Sequence, residues 1–232
     1  MIIYAHGAQW IAFTDAGTRR IERFARLEAP ATVVWQPAQT AVGLATFEGD
    51  ARHAGVLIER RLRTEGTIET DTKIFLHHVE SVGLTYQALY STASLDEWQR
   101  MQHWASAQEE HCAWMLATTL AWSMVGPNAP VVLHTENAFQ FYGLSGGRIV
   151  QANTLAFGTD DASLAYAART LGERIRDELR QGLADASSGP PTVRWACMAA
   201  IADVAAYERV MDAFREGSGL PVVSEDARID LD

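Results

Sequence analysis

The sequence repeats a pattern across its two halves. The stretch Val131–Gly158, VVLHTENAFQFYGLSGGRIVQANTLAFG, has the texture of three short strands joined by two tight turns. The N-terminal stretch MIIYAHGAQWIAFTDAGTRRIERFARLE has the same shape. At an offset of 129, Ile2-Ile3-Tyr4 falls on Val131-Val132-Leu133, Trp10 on Phe139, Phe13 on Tyr142 and Gly17 on Gly146. A one-residue slip then puts Ile21 on Ile149. Few letters are identical, so the match is one of pattern. Two three-strand meanders, one opening each half, commit the chain to a duplicated architecture.

Around each meander the remaining elements alternate. ATVVWQ (31–36) and TAVGLATFE (40–48) are rich in β-branched residues and read as strands. Asp50 caps a helix over 51–64, with Ala54, Leu57 and Ile58 on one face. KIFLHHVESVG (73–83) and LTYQALYST (84–92) read as two more strands, the second presenting Leu84, Tyr86, Ala88 and Tyr90 on one side. Ser94-Leu95-Asp96-Glu97 is a capping box opening a helix through Trp98, Met101 and Ala105. The length of HCAWMLATTLAWSMV (111–125) favours a buried helix.

Gly126-Pro127-Asn128-Ala129-Pro130 is the strongest linker signal, and places the domains at 1–126 and 127–232. In the second half the meander leads into a helix over 161–186. Its apolar positions Leu164, Ala168, Leu171, Ile175, Leu179 and Leu183 recur at steps of three and four. Ser187-Ser188-Gly189-Pro190-Pro191 ends it. A strand over 192–200, a helix over 204–214, a last strand at 221–223 and a frayed acidic tail complete the chain. The whole is a mixed α/β chain, with helices packed on a sheet in each half.

Composition narrows the partners. The formal net charge is −10, which repels nucleic acid and anionic membrane surfaces. Lys73 is the only lysine, so a Schiff-base or phosphate-binding lysine has almost no candidate. Cys112 and Cys197 stand 85 positions apart with no CxxC pair, and are expected to be free, buried thiols. No apolar run reaches the ~20 residues of a membrane helix, so no direct membrane insertion is expected.

Candidate chemical clusters are few. His77, His78 and Glu80 form one, but neighbours in a strand point to opposite faces. His103, Glu109, Glu110 and His111 straddle a helix end. Neither set has the geometry for a metal. Cys112 beside His111 lacks an orienting third group. Gly143-Leu144-Ser145-Gly146-Gly147 lies in a strand–strand turn and does not precede a helix, so it is not a nucleophile elbow. No catalytic, metal or cofactor residue is therefore assigned. Trp98 and Trp104, six apart on one helix, lie about 240° around it, and one of them is expected in a partner groove. Arg60 and Arg61, at a helix end, are the candidate contacts to an acidic partner.

A duplicated β-β-β-α-β-α plan resembles the actin-like (ribonuclease H-like) fold. Within it, residues 75–101 and 131–158 look most like the actin-like cytoplasmic platform proteins of bacterial type IV pilus and type II secretion machines, the PilM and GspL group. Nucleotide-binding members of that superfamily carry an Asp and glycines at the first hairpin of each half. Here the two hairpins read Tyr4-Ala5-His6-Gly7-Ala8-Gln9 and Leu133-His134-Thr135-Glu136-Asn137-Ala138. The paired glycines expected after the strand at 192–200 are replaced by Met198-Ala199-Ala200-Ile201. The resemblance thus implies a scaffold without catalysis or a cofactor, cytoplasmic and peripheral to the inner membrane. It would dock an assembly or secretion ATPase and a peptide of a bitopic inner-membrane protein, and leaves a homodimer open. The alternatives are a nucleotide- or ligand-binding, sugar-kinase-like member of the same fold, and an unrelated α/β domain.

Overall fold

The computed structural model describes residues 1–126, 129–145, 148–158, 160–178, 191–198 and 204–225. The chain forms two compact units, Met1–Leu120 and Ala121–Asp232. Their division falls inside one short helix, six residues before Gly126.

Unit 1 is built on a five-stranded sheet. Strands β1 (Ile2–His6), β2 (Gln9–Thr14) and β3 (Gly17–Ile21) form the expected antiparallel meander. β4 (Ala31–Gln36) lies parallel to β1 on its other side, and β8 (Cys112–Leu116) parallel to β4, giving the order β3-β2-β1-β4-β8. Between β4 and β8 the chain inserts β5 (Val42–Phe47), α1 (Ala54–Thr64), β6 (Thr72–Val82), β7 (Thr85–Ser94) and α2 (Leu95–Ala107). The three inserted strands make a separate antiparallel sheet, β5-β7-β6. α1 covers it with Ala54, Ile58 and Leu62, which recur every four residues. α2 covers the main sheet with Met101, Trp104 and Ala105.

Unit 2 has the same plan without the inserted sheet. β9 (Val131–His134), β10 (Ala138–Ser145) and β11 (Arg148–Ala156) form the meander; α4 (Asp161–Glu178), β12 (Val193–Cys197), α5 (Val204–Ser218) and β13 (Val222–Glu225) follow. The order β11-β10-β9-β12-β13 reproduces that of unit 1, again with the last two strands parallel to the central one. The repeat holds at the level of register. Ala5 faces Trp10 and Ile2 faces Phe13; His134 faces Phe139 and Val131 faces Tyr142, all at the offset of 129.

Four sequence readings need correction. Residues 112–125 are not one helix: 112–116 form β8, and only Ala117–Ser123 are helical, as α3. A fully apolar run of this kind suits a parallel strand as well as a buried helix. Leu84 is not in a strand; it sits in the β6–β7 turn beside Gly83, whose φ is +64°, and is 99% exposed. The third strands of the repeat are offset by 134 rather than slipped by one. Trp10 pairs with Ile21, and its equivalent Phe139 pairs with Leu155, because the β10–β11 hairpin is longer and carries a bulge at Gly143/Leu144. The last helix runs to Ser218, so Gly217 lies inside it and only Gly219, at φ +66°, ends it. The turn at Gly146-Gly147, Pro127-Asn128, Leu179, Leu183, the 187–190 segment, 199–201 and 226–232 lie outside the described residues.

The capping readings hold in outline. Ser94 accepts a hydrogen bond from the Glu97 N–H at 3.3 Å, but the Glu97 carboxylate turns away and accepts from the Ala38 N–H at 3.1 Å. Asp50 accepts from the Arg52 N–H at 2.9 Å. At the start of α4, Asp160 accepts from the Ser163 N–H at 2.8 Å in the same way.

Helices α4 and α5 approach closely through two glycines. A Cβ on Gly217 would stand 2.3 Å from the Arg169 carbonyl oxygen, and one on Gly172 2.6 Å from that of Phe214. Ion pairs Arg169–Glu216 (2.6 Å) and Arg209–Asp161 (2.9 Å) flank the crossing. Backbone is in contact with backbone there, so no rotamer change relieves an added methyl. Gly217→Ala is expected to destabilise the protein by about 1–3 kcal/mol, as overpacking does. A lowered urea midpoint with an unchanged slope would check this.

Candidate functional site

The hairpins at the ends of β1 and β9 are the two turns to which the resemblance noted above would assign a phosphate. At the first, three neighbouring strands bring Gln9, His6 and Gln36 side by side, since His6 pairs with both glutamines. His6 is 6% and Gln36 3% exposed, and Tyr4 stacks on His6 one step below. The turn bends through Gly7, whose φ of +50° an L side chain would strain. The row holds two amides and an imidazole, and the hairpin contains no carboxylate.

At the second hairpin the turn closes on itself. Thr135 Oγ1 accepts from the Ala138 N–H at 3.2 Å and donates to the Ala138 carbonyl at 2.8 Å, while the Thr135 N–H donates to that same carbonyl at 2.9 Å. The Ala138 amide is thereby occupied. His134 is 1% exposed and packed among Phe139, Phe157 and Trp195, with ring centroids 4.8–5.8 Å away. Burial pushes its pKa down to about 3, so the ring is neutral at physiological pH and gives an anion no charge.

Two side-chain constellations were not legible in the sequence. The first is His134 with Cys197, Nδ1 to Sγ 3.6 Å, at the ends of paired strands. A base that burial prevents from charging does not make a thiolate, so the pair is a packing contact. The second centres on His77. A β-bulge between Leu76 and His78 makes His77 the extra residue of β6. Its ring reaches Ser91 Oγ at 2.7 Å and Thr119 Oγ1 at 3.0 Å. The Ser–His–Thr row has the outline of a hydrolytic triad, but Ser91 is 0% exposed and no substrate reaches its hydroxyl. Burial lowers the His77 pKa to about 4. His78 instead sits 3.9 Å from Glu80.

The two cysteines are free and half-buried rather than fully buried. Burial raises the Cys112 thiol, the opposite of what an activated nucleophile needs. Among the described residues no three metal-ligating side chains converge.

The candidate partner contacts separate clearly. Trp104 is core: it is 6% exposed, meets Trp10 edge-on at 4.8 Å, and its indole N–H donates to the Ala25 carbonyl at 3.0 Å. Trp98 is half-buried in a second aromatic group with Trp35, Phe75 and Trp114, at 5.3–6.2 Å. The Lys73 ammonium lies 5.9 Å from the rings of both Phe75 and Trp98. The 240° between the two tryptophans therefore does not send one of them away from the core. α2 lies across a wide sheet, with Trp104 over β2 and Trp98 against β4, β6 and β8.

Arg60 is exposed. Arg61 is tied to Glu65 at 2.7 Å and to the Thr46 hydroxyl at 2.8 Å, and lines a shallow depression with Thr46, Phe47, Glu48, Leu57 and Thr85.

The two five-stranded sheets, one in each unit, are each a meander followed by two parallel strands on the far side of its first strand, which is the strand order of a duplicated ribonuclease H-like unit, the actin-like fold. No protein-family model matches the sequence, and no curated protein matches it. Solved structures do. A Bacteroides thetaiotaomicron protein with an actin-like ATPase fold and unknown function is 6% identical, covering 97% of this chain and 90% of that one, with a TM-score of 0.47. The cytoplasmic domain of EpsL, an inner-membrane component of the type II secretion system of Vibrio cholerae, is 9% identical, covering 91% of this chain and 92% of that one, with a TM-score of 0.49. Among the described residues, no helix is long and apolar enough to cross a membrane.

Two expectations follow. Trp104→Ala costs about 3–5 kcal/mol in a denaturation experiment, as large core truncations do, whereas Arg60→Ala changes stability by no more than about 0.5 kcal/mol, as surface changes do. Acid acts through the buried imidazoles. The folded pKa values of His77 and His134 lie below the unfolded 6.5, so the unfolded chain takes up protons first. Stability is then full above pH 6.5 and falls as the pH drops towards 4, by up to about 1.4 kcal/mol per unit for each ring. Urea midpoints between pH 7 and 4.5 measure the fall, and His77→Gln should make it shallower.

Proposed function

We propose that the chain is a non-catalytic scaffold subunit of a bacterial envelope-spanning pilus or secretion machine, acting on the cytoplasmic side of the inner membrane. Its work is docking: one surface for an assembly or secretion ATPase, another for a peptide of a bitopic inner-membrane protein. The observation that carries this reading is the chemistry of the two hairpins. A nucleotide site of this fold needs free turn amides for the phosphates and a carboxylate to position Mg²⁺. Here the first hairpin offers Gln9, His6 and Gln36. The second spends its Ala138 amide on Thr135 and keeps the His134 ring uncharged. The pattern of residues 75–101 and 131–158 suggests the kind of machine.

The competing reading is a nucleotide-binding or sugar-kinase-like member of the same fold. Thermal unfolding with Mg-ATP separates the two. No change in Tm is expected at millimolar Mg-ATP; a ligand present at 100 times its Kd would add about 2.7 kcal/mol and several degrees, and such a shift would sink the scaffold reading. Capture experiments with the products of neighbouring genes should recover a pilus or secretion component through this chain, and recovery of none would count against it.

A further inference from the structure

The two repeats differ at the outer edge of their meanders. In unit 2 the meander runs straight into α4, whose Ala167, Ala168, Leu171 and Ile175 pack on its apolar face with Leu155 of β11 alongside. In unit 1 the chain from β3 to β4 has no helix. Among the described residues no strand pairs with the outer edge of β3, and Gly17, Thr18, Arg19 and Arg20 are all exposed. The strand is five residues long, and two of them are adjacent arginines, one on each face.

The segment that follows is strained. Phe24 has a φ of +60°, the one positive φ outside glycine among the described residues, and a bulky side chain adopts that conformation only when its surroundings impose it. It is held between Trp10, 5.2 Å away, and Trp104, 6.2 Å away. The Ala25 carbonyl is bonded to Trp104, and the Leu27 N–H to Gln108 at 2.8 Å. The strained turn puts Arg23 over the Phe24 ring at 4.8 Å, its Nε buried with no acceptor among the described residues. Arg26 is exposed close by. Arg19, Arg20 and Arg26 are in no ion pair among the described residues, although Asp15, Glu22 and Glu28 lie on the same stretch.

We infer that the open edge of β3, with Arg19, Arg20, Arg23 and Arg26, docks an acidic extended segment of a partner protein by strand addition. A bare edge offers main-chain donors and acceptors to any extended chain. Flanking it with guanidinium groups selects among them: an apolar or basic strand would have to desolvate or face those charges, whereas alternating carboxylates meet them as charge-assisted hydrogen bonds. The same comparison disfavours larger polyanions. A chain of net charge −10 is repelled by a nucleic acid or an anionic bilayer, and a strip five residues long suits one short segment. This surface gives the docking reading a partner chemistry and rests on that reading for its biological sense. Peptide binding and nucleotide binding are measured separately, so either can fail alone.

The test uses fluorescence anisotropy with a labelled ten-residue peptide alternating glutamate and threonine. It is run beside the matched glutamine–threonine peptide and a glutamate peptide N-methylated at alternate residues. The acidic peptide should bind, weaken as salt is raised, and lose roughly tenfold or more in affinity in the double variant Arg19→Ser, Arg20→Ser. Both positions are exposed on an edge strand, and circular dichroism confirms that the variant is folded. Methylation should abolish binding. Equal binding of the glutamine peptide, or full binding by the double variant, overturns the proposal; full binding of the methylated peptide overturns strand addition. Phosphatidylserine vesicles or a single-stranded oligonucleotide bound through the same arginines, with no peptide binding, would reassign the surface to that class of partner.

Discussion

Each unit depends on one strand being hydrogen-bonded along both edges. β1 and β9 pair antiparallel with a hairpin neighbour on one side and parallel with β4 or β12 on the other. A parallel pair needs a long connection: that of β9 and β12 carries α4, that of β4 and β8 carries α2, and a strand covered by such helices is apolar on both faces. Ile3, Tyr4 and Ala5, like Val131, Val132 and Leu133, are at most 3% exposed on whichever side they point. Once this strand is placed, the order of the others follows. The meander occupies one side, the crossover strands the other, and the helix before the last strand covers the aromatic face.

Within that constraint the repeats solve the same packing problem differently. Unit 2 fills its apolar face with two helices whose backbones touch through Gly172 and Gly217. Unit 1 has one helix there and compensates with volume. Trp10 stands where unit 2 has Phe139, Trp104 packs against it, and Phe24 is forced into a left-handed conformation to complete the layer. Such strain costs of the order of 1–3 kcal/mol and persists only when its surroundings over-determine it. The Ala25–Trp104 and Leu27–Gln108 hydrogen bonds do so here. The exposed, arginine-lined β3 is the other side of that exchange.

The meanders, the capped helices and the offset of 129 were legible in the sequence because they rest on local periodicity and on turn residues. The misreadings fall where tertiary context decides. The run Cys112–Leu116 forms the edge strand beside β4, with only Leu116 fully buried, and nothing within its apolar sequence separates a strand from a buried helix. The bulge that turns His77 towards Ser91, and the one that lengthens the β10–β11 hairpin, insert a residue without leaving a local mark. The two tryptophans of α2 do lie in different environments, Trp104 buried beside Trp10 and Trp98 half-buried beside Trp35 and Trp114. Helical geometry alone left out that a five-stranded sheet gives a helix lying across it two places to pack. Of the candidate site, the residue types of the two hairpins were readable in the sequence. What those occupants touch required coordinates.

Those occupants also decide what holds each hairpin together. A strand end that grips an anion is held partly by that anion, and without it the polar groups there would be left unsatisfied. In unit 2 the position after Leu133 has been absorbed into the core instead. The His134 imidazole is neutral, wedged between Phe139 and Trp195, with Nδ1 against Cys197, and Thr135 closes the turn from within. Burial of aromatic surface stabilises this strand end. A carboxylate at position 134 would be desolvated among those rings, which is costly unless a cation pairs it. The first hairpin is less committed. Gln9, His6 and Gln36 remain polar, and two of their amide oxygens are buried without a donor among the described residues. The two hairpins thus differ in how far their polar groups are taken into the core, and the more buried one belongs to the repeat whose sheet carries the tighter helical layer.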